Sequence, residues 1–132
     1  MRFYIASSLK NIDFVRELAS LLKKEGFEFT YDWTEVEGVK SIELISAIGE
    51  NEKEAVKKSD FVVLLLPGGK SSHVELGIGL GLDKRVYVYS STEESYNMDQ
   101  TSTFYYVKGV DRYVGSIEGF AEYLLKKETE FM

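Results

Sequence analysis

One stretch limits what this chain can fold into more than any other. Phe61, Val62, Val63, Leu64, Leu65 and Leu66 form an unbroken apolar run, and Pro67, Gly68 and Gly69 follow at once. A run this short does not make a helix alone. Without polar alternation it reads as a strand covered on both faces of a parallel sheet. Pro67 ends the strand because it has no N–H for a ladder. Gly68 and Gly69 open backbone conformations closed to other residues, and Ser71 or Ser72 is placed to cap a helix that carries Glu75 in its first turn. A loop between the carboxyl end of a strand and the start of a helix directs unpaired N–H groups and a positive dipole end at whatever fills the crevice. Such a loop suits an anion.

The rest of the chain alternates in the same way. Residues 2–6 read as a first strand with Ser7 and Ser8 at its end. Phe14, Val15, Leu18, Leu21 and Leu22 then recur at helical spacing between Asn11 or Asp13 as caps and Gly26 as the stop. Residues 27–31 alternate as a second strand closed by Asp32, Trp33 and Thr34. Residues 41–58 read as a helix with Ile42, Ile45, Ala55 and Val56 as core contacts, although Gly49 weakens its middle. After the apolar strand come a helix over 71–82, a fourth strand over 85–89, a polar loop over 93–102, a candidate fifth strand over 103–107 and a last helix over about 116–127. Strands alternating with helices imply the α/β class, a parallel sheet with helices on both faces, in one domain spanning residues 1–132. Ligands of such sheets sit at the carboxyl ends of the strands. Ser7, Ser8, Asp32, Trp33, residues 67–72 and Ser90 all fall at that edge.

Composition narrows the function classes. With 132 residues, 44% of them hydrophobic, the chain can bury a core without staples. No run approaches the ~18 apolar residues of a membrane span. Met1 and Arg2 lead straight into a short apolar run, so no secretory signal and a cytoplasmic location are expected. Zero cysteines fit that compartment and exclude disulfides, thiolate metal sites and a cysteine nucleophile. A net charge of -6 argues against polymeric nucleic acid as a partner, but not against a single nucleotide whose phosphate is held by backbone N–H groups.

Pro67, Gly68 and Gly69 followed by Ser71, Ser72, His73, Val74, Glu75, Leu76 and Gly77 resemble the signature of the nucleoside 2-deoxyribosyltransferase superfamily, which includes the 2'-deoxynucleoside 5'-phosphate N-hydrolases. The resemblance implies a flavodoxin-like three-layer sandwich with a parallel sheet of about five strands in the order 2-1-3-4-5. It implies an enzyme that cleaves or transfers at the N-glycosidic bond of a nucleoside or nucleoside monophosphate through a sugar held covalently by a glutamate. It implies no metal, no other cofactor and no membrane partner. It also implies a homodimer or higher homo-oligomer, the region around Ser102, Thr103 and Phe104 completing a neighbour's pocket. The same residues are similar to the P-G-G-x-G-T-x-x-E motif of the Lonely Guy type phosphoribohydrolases, which break the same kind of bond. Gly69 stands where the transferases commonly carry an aspartate, which leaves a non-catalytic nucleotide or ADP-ribose binding module as an alternative.

The candidate residues follow. Glu75 is the nucleophile that the resemblance implies: a carboxylate can attack an oxocarbenium-like anomeric carbon and hold the sugar, and helix-end donors are expected to keep it ionised. Without the resemblance it reads as a partner of the helix dipole. A leaving base needs a proton. In the transferases an aspartate lies eight residues before the aspartate that opens the third strand, and the same count back from Asp60 reaches Glu52. Glu50, Glu52 and Glu54 also read as a solvated helix face paired with Lys53, Lys57 and Lys58. Asp32 is placed to hold sugar hydroxyls and Trp33 to wall the base, or else they are a turn residue and half-buried packing. The resemblance puts Tyr4, Ser7 and Ser8 in the base and sugar pocket, while a tyrosine on a central strand also reads as core. Pro67 leads into Gly68, Gly69, Lys70, Ser71 and Ser72, which would cradle a 5'-phosphate or form a plain tight turn. His73 has no metal partner at ligand spacing and reads as a surface or packing residue. Gly77, Gly79 and Gly81 each cost about 1 kcal/mol against alanine in a helix, and Gly77 and Gly81, on one face, are expected against the sheet or a neighbouring subunit.

Overall fold

A computed structural model describes residues 1–132. Five parallel strands, β1 (Arg2–Ser7), β2 (Glu28–Phe29), β3 (Phe61–Leu65), β4 (Arg85–Ser90) and β5 (Val110–Val114), form one sheet in the order β2-β1-β3-β4-β5. Four helices cover it: α1 (Ile12–Lys24), α2 (Ile42–Lys58), α3 (Lys70–Gly81) and α4 (Ile117–Thr129). α1 packs beside α4 on one face and α2 beside α3 on the other, giving the three-layer α/β sandwich and strand order expected. No helix is long and apolar enough to cross a membrane. Every residue of β3 is buried, as a central strand covered on both faces requires.

Register gives the two faces different characters. Phe3, Phe61 and Phe29 lie on the α1–α4 side, where Phe3 stacks on Phe29 at 5.1 Å and on Phe61 at 6.1 Å. Tyr89 stacks on Phe120 of α4 at 4.9 Å. Such pairs add about 0.5–1.5 kcal/mol each beyond the area they bury. The α2–α3 side instead carries Tyr4 paired with Val62 and Val62 with Val86. Short aliphatic side chains there let α3 approach closely: a Cβ on Gly79 would stand 3.2 Å from Val62 Cγ2.

Several sequence expectations are corrected. The fifth strand is Val110–Val114, and residues 103–107 are not extended. Their β-branched and aromatic content favours a strand, but Ser102 Oγ accepts from the Phe104 N–H at 3.2 Å and starts a 3₁₀ turn over Thr103–Tyr105. α2 is continuous through Gly49, capped by Ser41 Oγ on the Leu44 N–H at 3.1 Å. Only Ala55 and Val56 of that helix reach the core. Ile42 is 76% exposed and Ile45 55%, because the first half of α2 has no layer over it. Of the three glycines in α3, Gly79 faces the sheet, whereas a Cβ on Gly77 or Gly81 would meet open space.

Candidate active site

α3 is capped two or three residues earlier than either serine suggested. Gly69 is its N-cap, and Ser72 closes the turn by accepting from the Gly69 N–H at 2.7 Å and donating to the Gly69 carbonyl at 2.8 Å. Gly68 must lack a side chain here, since its Cβ would come within 2.8 Å of Ser72 Oγ. The amides of Lys70 and Ser71 then open the helix with no intrahelical acceptor.

This shift moves Glu75 into the second turn, away from those free amides. Its partner is instead Tyr4 of β1, whose hydroxyl donates to Glu75 Oε2 at 2.6 Å. Glu52 Oε2 of α2 lies 3.4 Å from the same hydroxyl. A phenol has one proton to give, so the shorter contact takes it and the two carboxyl groups share one donor. The five salt bridges of the molecule involve neither carboxylate. Burial, and then the neighbouring Glu52 carboxyl, push the Glu75 pKa up to about 8, against the lowering effect of the Tyr4 hydrogen bond. The expectation that helix-end donors keep Glu75 ionised is therefore corrected: it lies too deep in the helix to reach them, and burial beside another acid favours its neutral form. Burial first, and then Glu75, raise the Tyr4 hydroxyl far above its usual range, so it stays a donor.

α2 separates Glu50, Glu52 and Glu54 by face. Glu50 pairs with Lys53 at 3.3 Å and Glu54 with Lys57 at 3.4 Å toward solvent, as a solvated face would. Glu52 turns to the other side and, with Gly49, Ser71, Val74 and Glu75, lines a cavity of about 180 Å³ between α2 and α3.

The remaining candidates are tied in other ways. Ser7 Oγ donates to the Leu65 carbonyl at 2.8 Å and accepts from Asn11 Nδ2 at 3.2 Å. The Asn11 amide also reaches the Pro67 carbonyl at 3.4 Å, so both residues brace the loop from below. Ser8 caps the short 3₁₀ turn Leu9–Asn11. Asp32 Oδ1 accepts from the Thr34 N–H at 3.0 Å and lies in a separate depression with Arg16, Lys23 and Lys24 of α1. Trp33 is buried, its indole donating to the Ile5 carbonyl at 2.7 Å. The structure thus gathers Glu52, Ser71 and Glu75 around one cavity, with the buried Tyr4 behind the two acids, and leaves Asp32 outside it. Sequence reasoning passed over two residues. Asn11 reads in the sequence only as a cap, and Tyr105, which binds His73, stands in a segment with the pattern of a strand.

No family model matches the chain, and no curated protein matches it in sequence. Solved structures do match its fold. The Clostridium botulinum CMP N-glycosidase BcmB superposes with a TM-score of 0.68 at 15% identity, covering 94% of this chain and 98% of that one. The 2-deoxyribosyltransferase of Bacillus psychrosaccharolyticus gives 0.68 at 20% identity, covering 93% and 92%. A conserved protein of Enterococcus faecalis V583 gives 0.59 at 15% identity, covering 96% and 98%. The chain therefore carries the α/β fold of the 2-deoxyribosyltransferase and N-glycosidase structures, along nearly the whole length of both partners.

Proposed function

We propose that this chain is an enzyme that cleaves or transfers at the N-glycosidic bond of a nucleoside or nucleoside 5'-monophosphate through a sugar bound covalently to Glu75. The observation that carries the reading is the pair Glu75 and Glu52, joined through the Tyr4 hydroxyl, lining a cavity, with neither acid in a salt bridge: Lys53, which also lines the cavity, pairs with Glu50. Two carboxyl groups holding one proton between them supply both parts that the reaction needs. In the first step the proton of Glu75 passes to Glu52, and an oxygen of the freed Glu75 carboxylate bonds to the anomeric carbon as the carbon–nitrogen bond breaks. Its electron pair leaves on the base nitrogen, which takes the proton from Glu52. In the second, Glu52 removes a proton from water or from an incoming base, which attacks the same carbon and returns the electrons of the ester bond to Glu75. The fold is shared with proteins named as a CMP N-glycosidase and a 2-deoxyribosyltransferase, which fits this bond and a small nucleoside-type substrate.

The phosphate of a monophosphate would meet the Lys70 and Ser71 amides and the Lys70 ammonium, beside the cavity that Ser71 lines. A cavity of about 180 Å³ is smaller than the ~300–1,000 Å³ of ordinary ligand sites, so a further wall is needed. Val74, 63% exposed, joins this cavity to an apolar groove of about 710 Å³ between α3 and the 102–107 segment, with Phe104 59% exposed along it. A second copy of the chain seated there would bury both and roof the site. A monomer in sedimentation at micromolar concentration would contradict that arrangement.

Incubation with deoxy- and ribonucleoside monophosphates, followed by chromatography for free base, tests the reaction. Release from deoxynucleotides is expected. Release from ribonucleotides alone would favour a phosphoribohydrolase, and tight binding without release a nucleotide sensor.

A further inference from the structure

We infer that His73 is a positioning residue for the loop that opens α3: it fixes the peptide whose amide faces the substrate's phosphate, and Tyr105 holds it in place. The inference rests on the phosphate-bearing substrate proposed above. His73 Nδ1 lies 2.8 Å from the Gly69 carbonyl, and Nε2 lies 2.7 Å from the Tyr105 hydroxyl. A carbonyl oxygen only accepts, so Nδ1 carries the proton of the neutral ring. Nε2 is then the acceptor, and the hydroxyl donates to it. The two rings stack at 5.9 Å with 28° between their planes, and Tyr105 is itself buried. Arg112 of β5 donates to the Tyr105 carbonyl at 2.8 Å, which anchors that residue to the sheet.

The consequence lies at the Gly69 carbonyl. It accepts from His73 Nδ1, from Ser72 Oγ at 2.8 Å and from the His73 N–H at 3.2 Å. In a trans peptide the carbonyl and the next N–H point in opposite directions. Three donors holding the carbonyl toward the helix therefore hold the Lys70 N–H outward. Ser72 fixes this orientation from within the loop, and His73 ties it to the far side of the fold. His73 thus acts through the backbone without touching substrate.

The test is a comparison of paired substrates. His73→Phe keeps the stacked ring and removes both hydrogen bonds. KM for a nucleoside 5'-monophosphate should rise about tenfold, the worth of one hydrogen bond, with kcat and the KM of the matching nucleoside unchanged. Tyr105→Phe, which spares the contact to Gly69, should raise the same KM by a smaller factor, and His73→Gln should recover part of the loss. A purely structural role would lower the melting temperature and move both substrates alike. Equal effects on the two substrates, or none, overturn the inference. If the wild-type protein releases base from neither substrate, the proposed reaction fails separately. Inorganic phosphate titrated against the Lys70 and Ser71 amide resonances then decides: a weaker phosphate Kd in His73→Phe supports the positioning role, and an unchanged one refutes it.

Discussion

Glu75 and Glu128 are the two buried glutamates of this molecule, and each meets a tyrosine that stands on a central strand. Their surroundings are otherwise opposite. Glu128 of α4 takes a two-pronged contact from Arg85, with Nε at 2.9 Å from one oxygen and Nη2 at 2.6 Å from the other, while the Tyr87 hydroxyl donates at 2.5 Å. Both oxygens accept and the charge is balanced. Glu75 has the tyrosine but, in place of the guanidinium, a second carboxyl group. A buried acid beside another acid destabilises a fold, whereas an acid matched by arginine helps to fasten a helix. The comparison separates a glutamate that holds the α1–α4 face together from one that costs stability in the α2–α3 cleft, where the proposed reaction would use it.

The largest effect should come from exchanging the unpaired acid. Glu75→Gln should lower base release by about 10⁴-fold or more, as loss of a covalent nucleophile does, with the fold intact by circular dichroism. Its stability should respond to pH in a telling way. The Glu75 pKa is raised from 4.5 to about 8 in the folded chain, so the native state holds its proton more tightly than the unfolded one. The stability linked to that proton is present below about 4.5 and is lost as pH climbs through 8. Wild type should therefore weaken relative to Glu75→Gln over that window in urea titrations. A parallel pair of curves would mean that Glu75 is not held protonated.

Exchanging its neighbour should be next in size. Glu52→Gln removes the proton donor and should reduce turnover by about 10²–10³-fold. It should also let Glu75 ionise at lower pH, visible in the carbon resonance of its carboxyl group. Glu128→Ala should reverse the pattern: about 3 kcal/mol of stability lost, since the Arg85 charge keeps no partner, and unchanged base release per folded molecule. Activity lost in proportion to stability at both glutamates would erase the distinction. Tyr4→Phe should have the smallest effect, about a tenfold fall in kcat, because the ring still fills its place on β1.

Much of this was legible in the residues. The apolar run of β3 and the stripes of α1 and α4 fixed the layers, because a strand buried on both faces and an amphipathic helix each leave a periodic mark. β5 was misplaced because Val110, Asp111, Arg112, Tyr113 and Val114 are only half-buried at the sheet edge and carry a weak pattern, while residues 103–107 have a stronger one that Ser102 overrides. Ile42 and Ile45 repeat at helical spacing as core residues do, yet no layer reaches them. Glu75 stands out through its flanking glycines and lies on the cavity between α2 and α3. Its protonation was misjudged because burial, the larger cause, and Glu52, which comes from another helix, set it together, and no local spacing encodes either.

The most direct measurement is peptide mapping by mass spectrometry after incubation with a nucleoside monophosphate whose sugar carries a 2-fluoro group to slow release. A sugar phosphate esterified to Glu75, absent in Glu75→Gln and formed as free base accumulates, is the expected result. Free base accumulating with Glu75 unmodified, or an adduct on any other side chain, would contradict the assignment of this glutamate as nucleophile.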